Sequence, residues 1–500
     1  MHTLCPLFSR REDLTVEIRM RIASIALFFS VHGTISRLSD KYNISRQFIY
    51  NLRRDFKNYG ESALQPVDER DEDNEKRESL SWILSLRLEG KSSIEGISQI
   101  MKRFNIPYNS VGFISQALQG IGLEQPNILK TNEQGFRVAI CSDEIFSKGQ
   151  AILITVEPVS LSILHIELSE NRKGESWEAH WGRVLGAGYI PIQLCNDEGT
   201  GMASAQKAVL PELERQSDTF HAVAHRLGLW AERLEKKAYG CIEEEYDSYR
   251  LLGNAKTDDV FDKRYEKYVV AQKKAKVAIT MLDNFVFLYH CLLSAFRIFD
   301  ENGGLKNSEI VVADFDTALD LLKSLGHQAI NKEIKSIESC KKDLFNFMPV
   351  AQQIIDRLST QIPIDPLKII CLIWQTHKNS IKTKNTAKRN ALKRKEIHLL
   401  QQLEKEIQAD SLADWKALAF NELNKIIQSS AAVECINSIL RTYLNASKNQ
   451  LNQPFLNLFM AYHNHRRFKA GERKRKTPFE ILSGQKQDVD WIERVLTKAA

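Results

Sequence analysis

The 500-residue sequence predicts an α/β fold that is α-rich overall, in which a mixed β-sheet interrupts a largely helical chain. Short apolar runs rich in β-branched residues cluster between residues 135 and 225, which indicates strands. Apolar residues recur at spacings of three and four before residue 125 and again over 226–424, which indicates amphipathic helices. Hydrophobic residues make up 43% and charged residues 26% of the chain, a balance typical of a globular protein with several domains.

Composition argues against several classes of protein. The apolar stretches are well short of the roughly twenty residues that cross a bilayer, and no secretory signal is visible, so we expect a cytoplasmic protein with no membrane contact. The eight cysteines stand singly, without a CxxC pair, which favours reduced thiols over a zinc knuckle or a disulfide framework. The net charge of +6 is too small for this length to identify a polyanionic partner.

Charge is nevertheless distributed unevenly along the chain. Residues 378–395 and 466–476 form two basic patches. Residues 68–78 contain seven acids, three bases and no apolar residue, so this stretch cannot bury itself. It predicts a solvated acidic linker over 67–79.

The N-terminal residues 1–66 have the pattern of a helix-turn-helix domain. A helix over 15–29 is followed by a short helix, a turn around Asn43 and a helix that Ser45 caps. The side chains expected to pack inward are Ile18, Ile22, Ile25, Phe29, Ile35, Leu38, Phe48, Ile49 and Leu52.

The last of these helices presents a basic, polar face of the kind that fits the major groove of double-stranded DNA. The predicted DNA-contacting side chains are Arg46, Gln47, Tyr50, Arg53 and Arg54. The alternative is an ordinary helical bundle with a solvated charged face.

A second helix-turn-helix-like domain is predicted over 80–125. Its turn spans 104–107, and the helix that follows the turn carries no Arg or Lys. Groove binding and a packing or dimerisation role therefore both remain open for this domain. Its apolar positions are Ile94, Ile97, Ile100, Met101, Val111, Ile114 and Leu118.

Residues 135–225 predict the first part of an α/β core, with the element order β-β-β-α-β-α-β. Three strands over 136–144, 151–157 and 160–168 form an antiparallel meander, and a strand over 191–195 follows a helix. A fifth strand is expected over 218–223. This is the order of the ribonuclease H-like fold, whose active acids lie at the ends of the first and fourth strands. Asp143 and Asp197 fall at those two places.

With these acids in place, the chain resembles the DDE transposases and retroviral-type integrases of prokaryotic insertion sequences. The likeness covers residues 135–225 and 425–485, including the ending FLNLFMAYHNHRRFKAGERKRKTPFEIL. It implies a third acid on a late helix, which SSAAVECINSILRTYLN supplies as Glu434. Asn437 and Arg441 share its helix face, and Arg441 stands where such enzymes keep a basic residue that contacts the transposon end. Residues 425–500 are thus expected to complete the catalytic core.

The resemblance implies metal-dependent phosphodiester chemistry at Asp143, Asp197 and Glu434. Two Mg²⁺ ions, with Mn²⁺ able to substitute, would activate the nucleophile and stabilise the leaving oxygen. Such hard cations require oxygen ligands, so the same three carboxylates are both the catalytic and the metal-binding candidates. Asp143 would bridge both ions, and the neighbouring Glu144 and Glu198 are rival ligands.

Glu434 lies 237 residues after Asp197, so we expect a helical insertion over 226–424, as in similar transposases. Trp374 is expected in its core. Two histidines, His221 and His225, are spaced for zinc, but a packed or DNA-contacting role is favoured over metal binding because no third ligand is evident. His463 and His465 are expected near DNA phosphate. The remaining predicted DNA-binding residues are Lys388, Arg389, Lys393 and Arg394 in the insertion, and Asn437, Arg441, Arg466 and Arg467 in the core.

The expected function is that of a transposase that binds the terminal inverted repeats of a mobile element, cleaves a DNA strand and joins the end to target DNA. Because two element ends must be held together, we expect a homodimer or a higher synaptic assembly. Two alternatives stay open: a transposase-derived DNA-binding regulator without catalysis, and a ribonuclease H-like nuclease or resolvase that does not join strands.

Overall fold

The computed structural model describes residues 11, 13–29, 31–64, 72–130, 135–196, 199–405, 407 and 409–499. The chain divides into two compact units. The smaller consists of Met1–Trp82 with Met101–Asn109, and the larger of Ile83–Ile100 with Ser110–Ala500.

The smaller unit contains the predicted helix-turn-helix. Its helices are α1 Val16–Phe28, α2 Thr34–Tyr42 and α3 Arg46–Leu64. The Ser45 hydroxyl accepts the Phe48 amide at 3.1 Å, which confirms the predicted cap, and Asn43 turns the chain with a φ of 46°. The core of this unit consists of Leu14, Ile22, Ala26, Leu38 and Ile49, with Ile18, Ile25, Ile35, Phe48 and Leu52 packed against it.

One N-terminal prediction is wrong in detail, and another segment has a conformation that was not predicted. Phe29 is 64% exposed, because α1 ends at Phe28 and Phe29 leaves the apolar face. The acidic stretch is helical from Glu72 onward, since α4 spans Glu72–Leu84, although residues 73–76 are exposed as expected. Residues 67–71 of the predicted linker lie outside the described residues.

The segment of the predicted second helix-turn-helix is divided between the two units, with Met101–Asn109 in the smaller one. After α4 comes a π-helical turn over Ser85–Glu89, then α5 Ile94–Arg103 and α6 Val111–Glu124. In the larger unit, the Tyr443 hydroxyl donates to the Leu88 carbonyl, and the Asn457 amide donates to the Gly122 carbonyl at 3.0 Å. A Cβ at Gly122 would collide with the Pro454 carbonyl. Helix α6 is therefore built into the larger unit.

A five-stranded mixed sheet lies in the larger unit, with strand order β3-β2-β1-β4-β5. Strand β1 is antiparallel to β2 and parallel to β4, β2 is antiparallel to β3, and β4 is parallel to β5. The predicted order β-β-β-α-β-α-β is confirmed. The elements are β1 Phe136–Ser147, β2 Gln150–Glu157, β3 Ser162–Ser169, α7 Gly174–Gly186, β4 Tyr189–Asn196, α8 Thr200–Val209 and β5 Arg215–Ser217.

The fifth strand spans Arg215–Ser217, so it ends before the predicted range of 218–223 begins. The Asp218 carboxylate accepts the main-chain amides of Phe220 at 2.7 Å and His221 at 3.0 Å. These bonds cap a helix start, so the chain enters a π-helical turn over Phe220–His225. The run over 218–223 was therefore wrongly assigned as a strand.

The sheet is covered on both faces. Successive side chains on a strand point to opposite faces. The Ser142 hydroxyl accepts from Trp181 Nε1 of α7 at 3.1 Å, whereas the Asp143 carboxylate accepts from Asn437 Nδ2 at 2.6 Å. Asn437 belongs to α17, which spans Ala431–Ala446. Helices α7 and α17 therefore pack on opposite faces of β1.

The predicted insertion is helical with its own apolar core. Trp374 lies in this core, and its Nε1 donates to Asn424 Oδ1 at 2.9 Å, which confirms its assignment as a packed residue. The helices are α9 Arg226–Leu252, α10 Asp258–Ala295, α11 Ser308–Ser324, α12 Gln328–Leu344, α13 Phe347–Ser359, α14 Ile364–Lys382, α15 Thr386–Glu404 and α16 Ala409–Leu423.

Within the described chain, α10 is long and apolar enough to cross a membrane, judged by length and composition alone. The core helix of a globular protein passes the same test. Phe285, Leu288 and Leu292 of α10 are buried in the core of the insertion.

After α17 the chain forms α18 Gln453–His465, α19 Pro478–Ser483 and α20 Trp491–Ala499. The Thr-Pro-Phe-Glu element is a helix-capping box: the Thr477 hydroxyl accepts the Glu480 amide at 3.0 Å, and the Glu480 carboxylate accepts the Thr477 amide at 2.8 Å. The sequence Thr-Pro-Phe-Glu therefore has a structural role, since it caps the start of α19.

Candidate active site

The carboxyl ends of the parallel strands β1, β4 and β5 meet at one edge of the sheet. Ser142 pairs with Asn196, and Asn196 pairs with Ser217. Asp143 follows Ser142 on β1, and Asp218 follows Ser217 after β5. Asp197 follows Asn196 in sequence but lies outside the described residues, as does Glu198.

The chain returns to this edge after the helical insertion through a series of hydrogen bonds. Gln193 of β4 donates from Nε2 to the Ile427 carbonyl at 2.8 Å. The Thr219 amide donates to the Gln428 carbonyl at 3.0 Å. Two further bonds join Asp218 to Ser430, the residue that precedes α17. The start of α17 is thereby fixed beside β4 and β5.

Helix α17 directs its polar residues toward β1. Its buried apolar side, which includes Val433, Ile436 and Leu440, anchors the helix. Glu434 lies in the first turn and its side chain is 37% exposed. Asn437, one turn later, is fully buried against Asp143.

Asp143 and Glu434 line one cleft of about 430 Å³. These two acids share the cleft despite their separation along the chain. The other lining residues are Gly199, Asp218, His221, Ala222, His225, Arg226 and Ser430.

Asn437 was predicted to contact DNA, and its position contradicts this. The side chain is 0% exposed, and its Nδ2 donates to Asp143 Oδ2 at 2.6 Å. A buried amide that orients a carboxylate cannot reach a DNA backbone. Asn437 is therefore a positioning residue for Asp143.

Asp218 is a buried acid that sequence reasoning missed. It is 3% exposed, and its carboxylate accepts the Phe220 and His221 amides through Oδ1 and the Ser430 amide and hydroxyl through Oδ2. The bonds to Ser430 measure 2.7 and 2.5 Å. An acid followed by a change from strand to helix is a capping signal that could have identified it.

His221 is the other residue whose importance the sequence did not show. Its Nε2 lies 3.5 Å from Glu434 Oε1, and its side chain is 40% exposed toward the cleft. The four-residue spacing of His221 and His225 is compatible with a zinc site, but the sequence does not show that His221 lies close to Glu434.

Several buried polar atoms at this edge lack hydrogen-bond partners. They are both amide atoms of Asn196, the hydroxyl of Ser217 and Oδ1 of Asn437. An unsatisfied buried polar atom costs about 1–3 kcal/mol. Of these residues, Asn437 lies on the α17 face with Asp143, whereas Asn196 and Ser217 stand in register with Ser142, so their side chains lie on the α7 face.

The rival ligand Glu144 points away from this cleft. It follows Asp143 on β1, so its side chain lies on the other face of the sheet. There it accepts from Arg172 Nη1 at 2.6 Å. Because neighbouring residues on a strand point to opposite faces, Glu144 is not part of the candidate site.

The predicted DNA-contacting residues of α3 and α15 lie on accessible helix faces. Arg46, Gln47, Tyr50 and Arg54 are exposed, and Arg53 is partly exposed. On α15 and α17, Lys388, Lys393, Arg394 and Arg441 are exposed, and Arg389 is partly exposed.

The C-terminal basic segment is more structural than predicted. Arg467 Nη1 donates to both Glu480 oxygens at 3.1 and 3.0 Å and to the Arg475 carbonyl, so its guanidinium is engaged within the fold. Arg466 is partly buried, with its guanidinium over the Tyr462 ring at 5.3 Å. The side chain of Arg467 is nevertheless 46% exposed, so its predicted contact with phosphate stays a prediction.

His463 and His465 are also buried, which contradicts their expected contact with phosphate. His463 Nε2 donates to the Leu161 carbonyl at 2.9 Å, and His465 Nδ1 bonds to Gln487 Oε1 at 2.8 Å. Burial, aided by the nearby positive charge of Arg466, lowers the pKa of His463 to about 3.

The lowered pKa of His463 predicts a loss of stability in mild acid. In the unfolded chain, His463 binds a proton as the pH falls below about 6.5. In the folded state it stays neutral until the pH approaches its lowered pKa of about 3. The free energy of unfolding therefore falls as the pH decreases between these two values. Between pH 7 and pH 5 this histidine should cost about 2 kcal/mol. Urea unfolding at both pH values should show that His463→Gln reduces the pH dependence by this amount; an unchanged pH dependence would contradict the assignment.

A second group of buried titratable side chains, His165, Glu167 and His180, is compact enough to hold a metal ion. His180 Nδ1 bonds to Glu167 Oε1 at 2.9 Å, and Arg183 forms an ion pair with Glu167. Burial lowers the pKa of His165 to about 4 and also lowers that of His180. Neutral histidines with Arg183 balancing Glu167 therefore account for this cluster without a cation.

Comparisons with known proteins give no family for this chain: no protein-family model matches it, and no curated protein does.

Proposed function

We propose that this protein is a DDE-type transposase, with Asp143, Asp197 and Glu434 as its catalytic acids. The observation that carries the proposal is the return of α17 to the sheet edge, because it brings Glu434 into the cleft of Asp143 after a long helical insertion. Two carboxylates in one cleft are the oxygen ligands that metal-dependent phosphodiester chemistry requires.

The sheet supports a ribonuclease H-like core as the finer description of the fold. Its order, β3-β2-β1-β4-β5, with one antiparallel meander and parallel β1, β4 and β5, is the order expected of that fold. Asp197 comes directly after Asn196, whose strand partner Ser142 directly precedes Asp143. This register supports Asp197 as the second acid.

The donor atoms of the cleft suit a hard divalent cation. Carboxylates of Asp143 and Glu434 are the oxygen ligands that Mg²⁺ and Mn²⁺ prefer, and Asn437 holds one Asp143 oxygen in place. When bound, two Mg²⁺ ions would activate the attacking oxygen and stabilise the leaving oxygen.

For DNA recognition, we propose that α3 contacts the terminal inverted repeats and that α15 and Arg441 contact phosphates. The exposed basic face of α3 on a compact three-helix unit supports this role. A homodimer or larger synaptic assembly would hold two element ends together.

Removing Arg53 and Arg54 together should weaken binding to element-end DNA and lower the salt slope. Each lost phosphate contact removes about 0.9 from the slope of log affinity against log salt, so the pair should remove roughly 2. Fluorescence anisotropy at several salt concentrations measures this. As a control, alanine at the exposed Lys274 and Lys486 should leave the slope unchanged; an unchanged slope for Arg53 and Arg54 would remove α3 from the phosphates.

The decisive test is incubation of the full chain with a DNA fragment that carries one element end, a target plasmid and Mg²⁺ or Mn²⁺. A transposase yields a nicked end with a free 3′-hydroxyl and a covalent joint between end and target. Cleavage without joining would instead identify a nuclease or resolvase. Binding without cleavage would identify a regulator that has lost catalysis.

A further inference from the structure

His221 is the feature of the cleft that the three-carboxylate description does not use. It stands on the π-helical turn directly after β5, with Nε2 3.5 Å from Glu434 Oε1. The ring rests edge-on against Phe220 at 5.2 Å between centroids, and against His225 at 6.1 Å. The imidazole is thus supported from behind while its side chain faces the cleft.

The separation of Nε2 and Oε1 has a specific meaning. At 3.5 Å it is longer than a good N–H···O hydrogen bond, which spans about 2.7–3.2 Å. Two ligand atoms that each lie about 2.1 Å from one cation, at angles between 90° and 110°, are roughly 3.0–3.4 Å apart. The distance between His221 Nε2 and Glu434 Oε1 is therefore close to the distance between two ligand atoms that bind the same cation.

The buried Asp218 carboxylate positions both His221 and the helix that carries Glu434. Asp218 Oδ1 accepts the His221 amide at 3.0 Å, and Asp218 Oδ2 accepts the amide and hydroxyl of Ser430, the residue that precedes α17. The backbone of His221 and the helix that carries Glu434 are thereby tied to one buried group. Their spacing is set before any ion arrives, which is the requirement for a preorganised ligand pair.

We propose that His221 is a ligand, together with Glu434, of one of the divalent cations of the cleft. The inference rests on the proposed metal-dependent function and deepens it, because it gives one metal position a nitrogen donor. Mg²⁺ is held almost entirely by oxygen, whereas imidazole suits transition metals. That position should therefore favour Mn²⁺ over Mg²⁺ more than three carboxylates alone would.

The experiment uses the full-length protein with Mn²⁺ as the probe. Pulsed electron paramagnetic resonance of bound Mn²⁺ should show modulation from a directly coordinated ¹⁴N nucleus. His221→Gln and His221→Ala should both lose this signal and lower the ratio of Mn²⁺ to Mg²⁺ affinity about tenfold. His225→Gln is the matched control, one turn later in the same cleft, and it should keep the nitrogen signal.

The outcomes separate this inference from the proposed function. Absence of a nitrogen signal from bound Mn²⁺ in the wild type, or its persistence in both His221 variants, would overturn the role of His221. If Asp143→Asn and Glu434→Gln weaken Mn²⁺ binding in the same preparations, the carboxylate centre stands even when His221 fails. If neither carboxylate variant changes Mn²⁺ binding, the cleft is not a metal centre and both proposals fall.

Discussion

Asp143→Asn should abolish metal-dependent strand cleavage while leaving the affinity for element-end DNA unchanged. The substitution keeps the shape of the side chain and removes the charge that would hold the cations. Metal ions supply several kcal/mol of transition-state stabilisation, and each 1.36 kcal/mol is a factor of ten, so we expect a loss of about 1,000-fold or more. A gel assay of nicked end DNA measures the rate, and anisotropy measures binding.

Glu144→Gln is the matched control for this variant. Glu144 is the next residue on β1, but it lies on the opposite face of the sheet and pairs with Arg172. Its substitution should leave cleavage within a few fold of the wild-type rate. Substantial nicking by Asp143→Asn, or an equal loss in both variants, would refute the assignment of Asp143 as the central acid.

Asp218→Ala should cause the largest loss of stability among single substitutions at the cleft. Four donors, the amides of Phe220, His221 and Ser430 and the Ser430 hydroxyl, would lose their acceptor in a buried place. Hydrogen bonds to a charged group are worth about 1.5–3 kcal/mol each, and part of the loss is recovered by water, so we expect about 3–5 kcal/mol. Urea unfolding followed by tryptophan fluorescence measures this, since Trp177 and Trp181 are buried against the sheet.

The exposed residue Asp488 offers the comparison, because its side chain is 83% exposed. Asp488→Ala should change the free energy of unfolding by less than about 0.5 kcal/mol. If Asp218→Ala were equally mild, the carboxylate would not be what joins β5 to the start of α17. The placement of Glu434 would then need another explanation.

Local sequence signals predicted most of the elements. The apolar runs of β1 to β4, the capping serine at Ser45 and the helical period of the insertion all matched the structure, because each depends on neighbours within a few residues. The fifth strand was misplaced because Asp218 caps the following turn, and an apolar run does not reveal which backbone hydrogen bonds it will form. The helix that begins at Glu72 was not predicted, because a run of charged residues indicates exposure to solvent but not backbone conformation.

Two of the three predicted acids lie in one cleft, but the residues around them were not predicted. Asp143 and Glu434 were chosen from strand order and from a family resemblance, and both line the cleft. Asn437 was assigned to DNA because it shares a helix face with Glu434, yet that face meets β1 at Asn437 and solvent at Arg441. A helical repeat places side chains on one side without showing what lies opposite.

Composition and periodicity alone determined that this chain has a helix-turn-helix, a strand-rich core and a helical insertion, since these follow from short-range sterics and the burial of apolar faces. Which polar groups meet was decided only by the tertiary structure. Titratable side chains such as His463 and Asp218 look alike in sequence whether they face solvent or the interior, and only packing fixes that difference. The energy of a charge depends on its surroundings, and those surroundings come from residues hundreds of positions away.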